Sequence, residues 1–364
     1  MARRVRKNSI DPSVVQVVHS WNRCVRGMML CGVDRATGID REHRREWSRQ
    51  RLEHLASVYA IDVLTYAILH NHTHQVLRSR PDIARSWSPE TVARRWLMVT
   101  PKRDRHGAIL EPSEKQILAI TSKPELVEKL RLRLSDVSWW MRSYAQTIAV
   151  RANREDGSRG HFWESRFRSH VLADQASILR CMLYVDLNPI RAGLAASIEQ
   201  SDYTGGKDRL DDLRVHLATS NNQITLKLDC GSEMAKWERL DHPCSGWLSP
   251  IQIDDQTATE ETRCSQQANG HVARGRRTSH RGAVRIPLTK YLLLLDLVGR
   301  AKRLDAIGYI PNEVATCLEQ LNITTSGFAE SVLVFGKRFS GRRNSVAGKS
   351  SEPDRVLAET TSAV

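Results

Sequence analysis

Three segments among the first 80 residues show the apolar patterns that are typical of β-strands. Residues 14–22 (VVQVVHSWN) are rich in β-branched side chains, and residues 58–69 (VYAIDVLTYAIL) form an apolar run that fits a buried strand. After a break at Asn71, residues 72–79 (HTHQVLRS) alternate as the next strand. The pattern therefore predicts an N-terminal strand followed by a β-hairpin.

Segments with helical spacing lie between and after these strands. Apolar residues recur at intervals of three and four in residues 40–56, 88–99 and 124–150, and the last of these predicts one long helix. Residues 161–172 (HFWESRFRSHVL) alternate as a fourth strand, and Asp174 can cap a helix after it. The order of strand, helix, two strands, helix, strand and helix is that of a ferredoxin-like fold. We therefore predict an α+β domain in which helices lie on an antiparallel sheet.

Composition suggests further divisions of the chain. Residues 206–280 are polar and poor in aromatic side chains, whereas residues 286–303 read as a strongly apolar helix. We expect five parts: a basic flexible arm at 1–13, the α+β domain at 14–205 with an insertion at about 80–123, a polar and partly disordered linker at 206–284, a helical C-terminal region at 285–345, and a disordered tail at 346–364.

The charge balance points to a polyanionic partner. The chain has 55 Lys and Arg against 41 Asp and Glu, a net charge of +14, and nucleic acid is the usual partner of such a surface. No run approaches the length of a membrane span and no signal-peptide pattern is present, so we expect no membrane partner. The seven cysteines are widely spaced and include no CxxC pair, which favours reduced thiols in a cytoplasm.

A row of histidines is the first candidate for chemistry. His70, His72 and His74 occupy alternate positions in ILHNHTHQVL, and alternate positions on a strand share a face. Two neighbouring imidazoles can bind a divalent ion when a third ligand completes the site, although an isolated HxH also arises by chance. His70 precedes Asn71 and fits a position in the hairpin turn better than the role of a metal ligand. The letters HNH do not encode an HNH nuclease, because that motif spreads its histidines over a ββα unit.

The second candidate lies in YVDLNPIRAGL, residues 184–194. Tyr184 and Asn188 are four residues apart, so a helix presents the phenol and the carboxamide on one face. Pro189 predicts that the helix ends or bends nearby, and Gly193 supplies a stop. The alternative is that Tyr184 is an ordinary aromatic residue of an apolar core.

These segments together resemble a known family. LHNHTHQVL resembles the HUH segment of the single-tyrosine transposases of the insertion-sequence type, whose relatives include the REP-associated tyrosine transposases. FWESRFRSHVLADQASILRCMLYVDLNPIRAGL is similar to that family's last strand and tyrosine helix, and VVQVVHSWNRCVRG to its first strand. The resemblance covers about residues 14–203. It implies the HUH transposase fold, with residues 14–205 as the catalytic domain.

The resemblance also implies a role for each matching residue. Tyr184 matches the nucleophile that forms a 5′-phosphotyrosine with DNA, whereas His72, His74 and Asn188 match the ligands of Mg²⁺ or Mn²⁺. The implied partner is single-stranded or hairpin DNA, and the implied location is the cytoplasm, at the nucleoid. A homodimer is possible, since such enzymes can exchange the tyrosine helix between subunits. Thr73 departs from the family, which usually has a bulky apolar residue there.

Arginines near these motifs are candidates for DNA contacts. Arg166 and Arg168 share a face of the predicted fourth strand, Arg191 follows the Asn-Pro pair, and Arg23 and Arg26 can join the same surface. The alternative for each is a solvated surface position. Further basic stretches at residues 275–282 and 336–345 are candidates for binding hairpin DNA.

The predicted function is that of a transposase which cleaves and rejoins single-stranded DNA. One alternative is a domesticated or inactive relative that binds DNA without cleaving it, and the presence of all four motif residues favours the enzyme. Another is an RNA-binding ferredoxin-like module, which would show aromatic-rich strands that this sequence lacks.

Overall fold

A computed structural model describes residues 10–25, 29–34, 37–219, 246–253, 277–302 and 306–316. Within these ranges four strands form one antiparallel sheet: β1 (Val17–Arg23), β2 (Ile61–Ile68), β3 (His72–Ser79) and β4 (Arg168–Leu172). The order across the sheet is β2-β3-β1-β4, so β1 and β3 lie in the centre. The protein is therefore α+β, with a four-stranded antiparallel sheet covered by helices.

Helices fill the connections between the strands. Helix α1 (Arg44–Val58) joins β1 to β2. Five helices connect β3 to β4: α2 (Pro81–Ser86), α3 (Pro89–Val99), α4 (Glu114–Thr121), α5 (Pro124–Leu134) and α6 (Val137–Glu155). After β4 come α7 (Gln175–Asp186), α8 (Asn188–Arg191), α9 (Gly205–Thr219) and α10 (Leu288–Arg300). None of the helices in the described ranges combines the length and apolarity that a membrane span requires.

The sheet separates two hydrophobic cores. One core lies beneath α1, α3, α5 and α6 and contains Leu52, Leu77 and Trp140. The other lies beneath α7, α9 and α10 and contains Val76, Met182 and Tyr291. Leu77 and Val76 are adjacent on β3 and enter opposite cores because successive strand side chains alternate in direction. Strand β2 is buried along its whole length between the two cores, which explains its mostly apolar sequence.

The helix predicted over residues 124–150 is in fact two helices. Helix α5 ends at Leu134 and α6 begins at Val137. The break occurs because Asp136 caps α6: its carboxylate accepts a hydrogen bond from the backbone N–H of Ser138, at 2.6 Å.

The fourth strand is shorter than predicted. It spans Arg168–Leu172, whereas residues 161–167 are irregular and bury Phe162, Trp163 and Phe167. The indole of Trp163 donates to the carbonyl of Ala145 at 2.9 Å, which ties this stretch to α6. The backbone N–H of Glu164 also donates to the carbonyl of Arg23 at 2.8 Å, at the end of β1. The alternation of large apolar and charged residues therefore reflects packing against a helix before the strand begins.

In the range predicted as a polar linker, 206–284, the residues that the structure describes are folded. Residues 205–219 form α9, and residues 246–253 and 277–284 pack against the sheet. Trp247 is buried with its ring 5.1 Å from that of Tyr66. A few apolar side chains thus anchor a mostly polar stretch.

The remaining domain boundaries stay predictions. In the C-terminal region, α10 matches the predicted apolar helix. Most of the basic arm, most of the predicted C-terminal region after α10, the second basic stretch and the tail lie outside the described residues.

Candidate active site

Strand alternation places three histidines on the same face of the central strands. On β3 the ring centroids of His72 and His74 are 5.1 Å apart. Across the sheet, Trp21 of β1 pairs with His74 and Arg23 pairs with His72. His19 lies two residues before Trp21, and its ring centroid is 5.1 Å from that of His74.

Each β3 histidine has one ring nitrogen engaged. Nδ1 of His72 donates to the carboxamide oxygen of Asn71 at 2.7 Å, so its Nε2 keeps the lone pair. Nδ1 of His74 lies 3.0 Å from Nε2 of His19, and the two share a hydrogen bond. A metal-binding histidine characteristically has such a partner on its other nitrogen, because the partner fixes both tautomer and ring orientation.

Burial keeps these imidazoles neutral. It is the main cause that lowers the pKa of His72 to about 4, and the positive charge of Arg23 adds to it. Burial likewise lowers the pKa of His19 to about 4, with a contribution from His170, and places the pKa of His74 well below its usual value. At neutral pH the three rings are therefore uncharged, which is the form that binds metal ions.

Helix α7 presents Tyr184 to the histidines. The helix begins at a capping box between Asp174 and Ser177. Tyr184 itself is 51% exposed, and its ring stands edge-on to His74 with 5.7 Å between the centroids. The alternative of a core aromatic residue is therefore wrong: Tyr184 lies beside the imidazoles, with half of its surface open to solvent.

Asn188 lies one helical turn beyond Tyr184. Helix α7 ends at Asp186 and Asn188 begins α8, so the predicted bend at the Asn-Pro pair is confirmed. Asn188 is half-buried. Within the described ranges, no three side chains of His, Cys, Asp or Glu are placed to hold a metal ion. A metal here needs a third ligand of another kind, and Asn188 is the candidate nearest in sequence to Tyr184.

Two of the predicted DNA-contacting arginines are exposed on strands of this face. Arg23 lies opposite His72, and Arg168 lies opposite Trp21 on the edge strand β4. Arg166 is also exposed but precedes β4, so it does not share a strand face with Arg168. Arg26 lies outside the described residues.

Arg191 has a structural position. Its guanidinium donates to the carbonyls of Val298 and Ala301, the latter at 2.7 Å, and so caps the C-terminal end of α10. This placement joins α8 to α10 and does not favour the predicted contact with DNA.

A buried carboxylate fixes α7 from behind. Asp186 accepts hydrogen bonds from the hydroxyls of Thr65 on β2 and Tyr291 on α10. Burial raises the pKa of Asp186, and these donors together with Arg209 oppose that rise. The helix that carries Tyr184 is thus attached both to the sheet and to the C-terminal region.

His19 and Asn71 also border the site, although no sequence pattern marks them as members of it. His19 and Trp21 alternate within the first predicted strand, and this places them on one face. Their position beside His74 depends on the register of β1 against β3, which one strand alone does not reveal. Asn71 lies at a predicted turn, and its sequence position alone indicates no contact with His72.

Comparisons with known proteins give one distant likeness. No family model matches the chain, and no curated protein is similar to it. A solved structure of a REP-associated tyrosine transposase bound to a REP hairpin is similar over 65% of this chain and 95% of that chain. The identity is 11% and the TM-score 0.32.

Proposed function

We propose that this protein is a transposase that cleaves and rejoins single-stranded DNA through a tyrosine nucleophile. The observation that carries the proposal is the placement of Tyr184, half-exposed and edge-on to His74. A phenol beside neutral, buried imidazoles has the right neighbours for a metal-assisted attack on a phosphodiester.

The fold supports the same proposal. We infer a ferredoxin-like domain from the strand order β2-β3-β1-β4, with α1 between β1 and β2 and helices between β3 and β4. The resemblance of residues 14–203 to the HUH transposases implies that fold.

Two imidazoles and a carboxamide are donors of the types that bind divalent metal ions. His72, His74 and Asn188 would hold Mg²⁺ or Mn²⁺, since both imidazoles are neutral and each has its Nδ1 engaged elsewhere. When bound, the ion would supply Lewis-acid polarisation of the scissile phosphate.

The residues of the chain then account for the reaction. The phenolic oxygen of Tyr184 attacks the phosphorus, and the bond from phosphorus to the 3′ oxygen of the upstream fragment breaks. The phosphate stays on the 5′ oxygen of the downstream fragment, which is now linked to the protein as a 5′-phosphotyrosine. The phenol's proton leaves to solvent, and the released 3′ oxygen takes one up as a hydroxyl. Attack by a 3′ hydroxyl on the phosphotyrosine reverses these steps, so rejoining needs no ATP. Arg23 and Arg168 are placed to contact neighbouring phosphates.

The test is formation of a covalent adduct. Wild-type protein, incubated with a labelled single-stranded hairpin and Mn²⁺, should give a protein–DNA band that survives denaturing electrophoresis. Tyr184→Phe should give none. The matched control is Tyr309→Phe, which removes another exposed phenol and should leave the adduct intact. An adduct that persists in Tyr184→Phe would show that another residue is the nucleophile.

A second candidate is a protein that binds hairpin DNA without cleaving it. One observation favours it: in the described ranges, no His, Cys, Asp or Glu completes a three-ligand metal site with the histidines. Retained hairpin affinity, together with no adduct in Mg²⁺ or Mn²⁺, would select this candidate. The homodimer and the nucleoid location stay predictions in either case.

A further inference from the structure

A groove runs along the outer side of α6, on the face of the sheet away from the histidines. Trp140 of α6 donates to Gln75 of β3 at 2.8 Å, and Gln75 points away from the adjacent His74 because strand side chains alternate. Two adjoining cavities of about 740 Å³ and 880 Å³ share Trp139, Arg142 and Gln146. We call these two cavities the α6 groove.

Indole rings and guanidinium groups interleave along this groove. The guanidinium carbon of Arg133 is 4.1 Å from the ring centroid of Trp139, and that of Arg142 is 4.9 Å from it. Trp96 stands edge-on to Trp139, with 5.5 Å between the centroids. Further along α6, Arg151 lies 3.6 Å from the ring of Trp47. The cations are held at the groove wall by aromatic rings.

These arginines lack the carboxylate partners that other arginines of the protein have. Arg44, Arg78 and Arg131 each form an ion pair with Asp or Glu. Among the residues that the structure describes, Arg142 and Arg151 form no such pair, and the cavity of about 740 Å³ that they line contains no carboxylate. Glu155, one helical turn after Arg151, is shared with Arg44 and His43. Glu164 is the carboxylate among the described residues that line the larger cavity. Arginines therefore outnumber carboxylates along the groove, and such an excess attracts a polyanion.

The groove leads toward the candidate active site. Its larger cavity is lined by Asn22 and Arg166. Asn22 precedes Arg23, which pairs with His72 across the sheet. A strand lying in the groove would therefore leave it beside the end of β1, next to the histidine face.

We propose that the α6 groove binds single-stranded DNA, at a surface separate from the histidines and Tyr184. Bases would stack on Trp139 and Trp96, and phosphates would contact Arg142 and Arg151, which is the combination that single-stranded nucleic acid requires. An acidic polypeptide would satisfy the guanidinium groups but brings no base to stack on the indoles. Binding in the groove does not require cleavage.

The test measures binding in the absence of chemistry. The probe is a fluorescein-labelled oligothymidine of about 20 nucleotides, titrated with Tyr184→Phe protein in EDTA and followed by fluorescence anisotropy. The double substitution Arg142→Glu and Arg151→Glu, made in this Tyr184→Phe protein, should weaken oligothymidine binding at least tenfold. It should also reduce the slope of log affinity against log salt by about 1.4, at about 0.7 per lost phosphate contact. The matched control is Lys115→Glu, an exposed charge reversal on α4, which should change affinity less than about twofold.

A stacking variant separates base contacts from charge. Trp139→Leu should weaken oligothymidine binding about fivefold or more, whereas Trp139→Phe should restore most of the affinity. Affinity and salt slope that are unchanged in the double arginine variant would overturn the proposal. So would arginine-dependent binding of polyglutamate without binding of oligothymidine. Adduct formation by the wild-type protein is a separate readout, so a failed cleavage test leaves this result interpretable.

Discussion

The imidazoles of His19 and His74 meet across the two central strands, with Nε2 of one 3.0 Å from Nδ1 of the other. Trp21 stacks on His19, with 4.9 Å between the ring centroids, and so holds that ring in place. When His74 donates through Nδ1, its Nε2 is unprotonated and keeps a lone pair that can bind a metal ion. His19 therefore has the position of a residue that orients His74.

Loss of His19 should weaken metal binding without removing a ligand. Because a hydrogen-bonded partner of a metal ligand is worth about 10- to 100-fold in affinity, we expect His19→Ala to weaken Mn²⁺ binding by that factor in calorimetric titration. The Mn²⁺ affinity of His19→Gln, which can still hydrogen-bond, should lie between those of wild type and His19→Ala. The control is His170→Ala, since His170 is the exposed cross-strand neighbour of His19 on β4. Equal Mn²⁺ affinity in wild type and His19→Ala would rule out the orienting role.

The buried contact between Asp186 and Tyr291 should stabilise the fold. Tyr291→Phe removes one donor to a buried carboxylate, and we expect it to lower the free energy of unfolding by about 2 kcal/mol. Urea denaturation measures this. Tyr309→Phe makes the same change at an exposed phenol and should have an effect below about 0.5 kcal/mol. If the two variants unfold at the same urea concentration, the contact does not hold α7 to α10 in solution.

The relationships that sequence could reveal lie within single elements. His72 and His74 share a face because strand side chains alternate, and Tyr184 and Asn188 are neighbours because a helical turn spans about four residues. Both relationships follow from local geometry. The two strands of the hairpin can also be predicted from local sequence, because β2 is a mostly apolar segment and the break at Asn71 separates it from β3.

The relationships that sequence could not reveal depend on how distant elements pair. His19 reaches His74 only because β1 inserts between β3 and β4 in a particular register. The attachment of residues 277–284 to the sheet depends on Arg78, which binds two of their carbonyls. No periodicity within a polar segment indicates such a partner. The break at Asp136 is different, since a capping Asp followed by an apolar face was a usable signal.

The buried histidines should make the protein sensitive to acid. The pKa of His19 and that of His72 are lowered to about 4 by burial, against about 6.5 in the unfolded chain. Because the folded state disfavours the protonated rings, their contribution to stability is complete above about pH 6.5 and is lost as the pH falls toward 4. Between pH 6.5 and 5, each ring can account for up to about 2 kcal/mol.

Urea unfolding in EDTA at pH 7.5 and pH 5 tests this sensitivity. The wild-type protein should lose more stability between the two pH values than His19→Gln/His72→Gln does. His161→Gln removes an exposed histidine and should show the wild-type pH dependence. The same loss in the double variant and in wild type would mean that other groups set the acid sensitivity.

The described segments after residue 204 should be required for a stable domain. Arg78 is buried, and its guanidinium binds Asp62 at 2.7 Å together with the carbonyls of Arg281 and Gly282, at 2.6 and 2.7 Å. Leu210 and Tyr291 cover the second core in the same way. A chain that ends at residue 204 keeps the pair of Arg78 and Asp62 but lacks the other contacts, whereas one that ends at residue 316 keeps every described contact. We expect the shorter chain to unfold more than about 10 °C below the longer one, because several buried apolar side chains and the bonds to a buried arginine are lost. Calorimetry on both chains measures the difference. Equal unfolding temperatures would instead restore the boundary near residue 205 that the polar composition predicted.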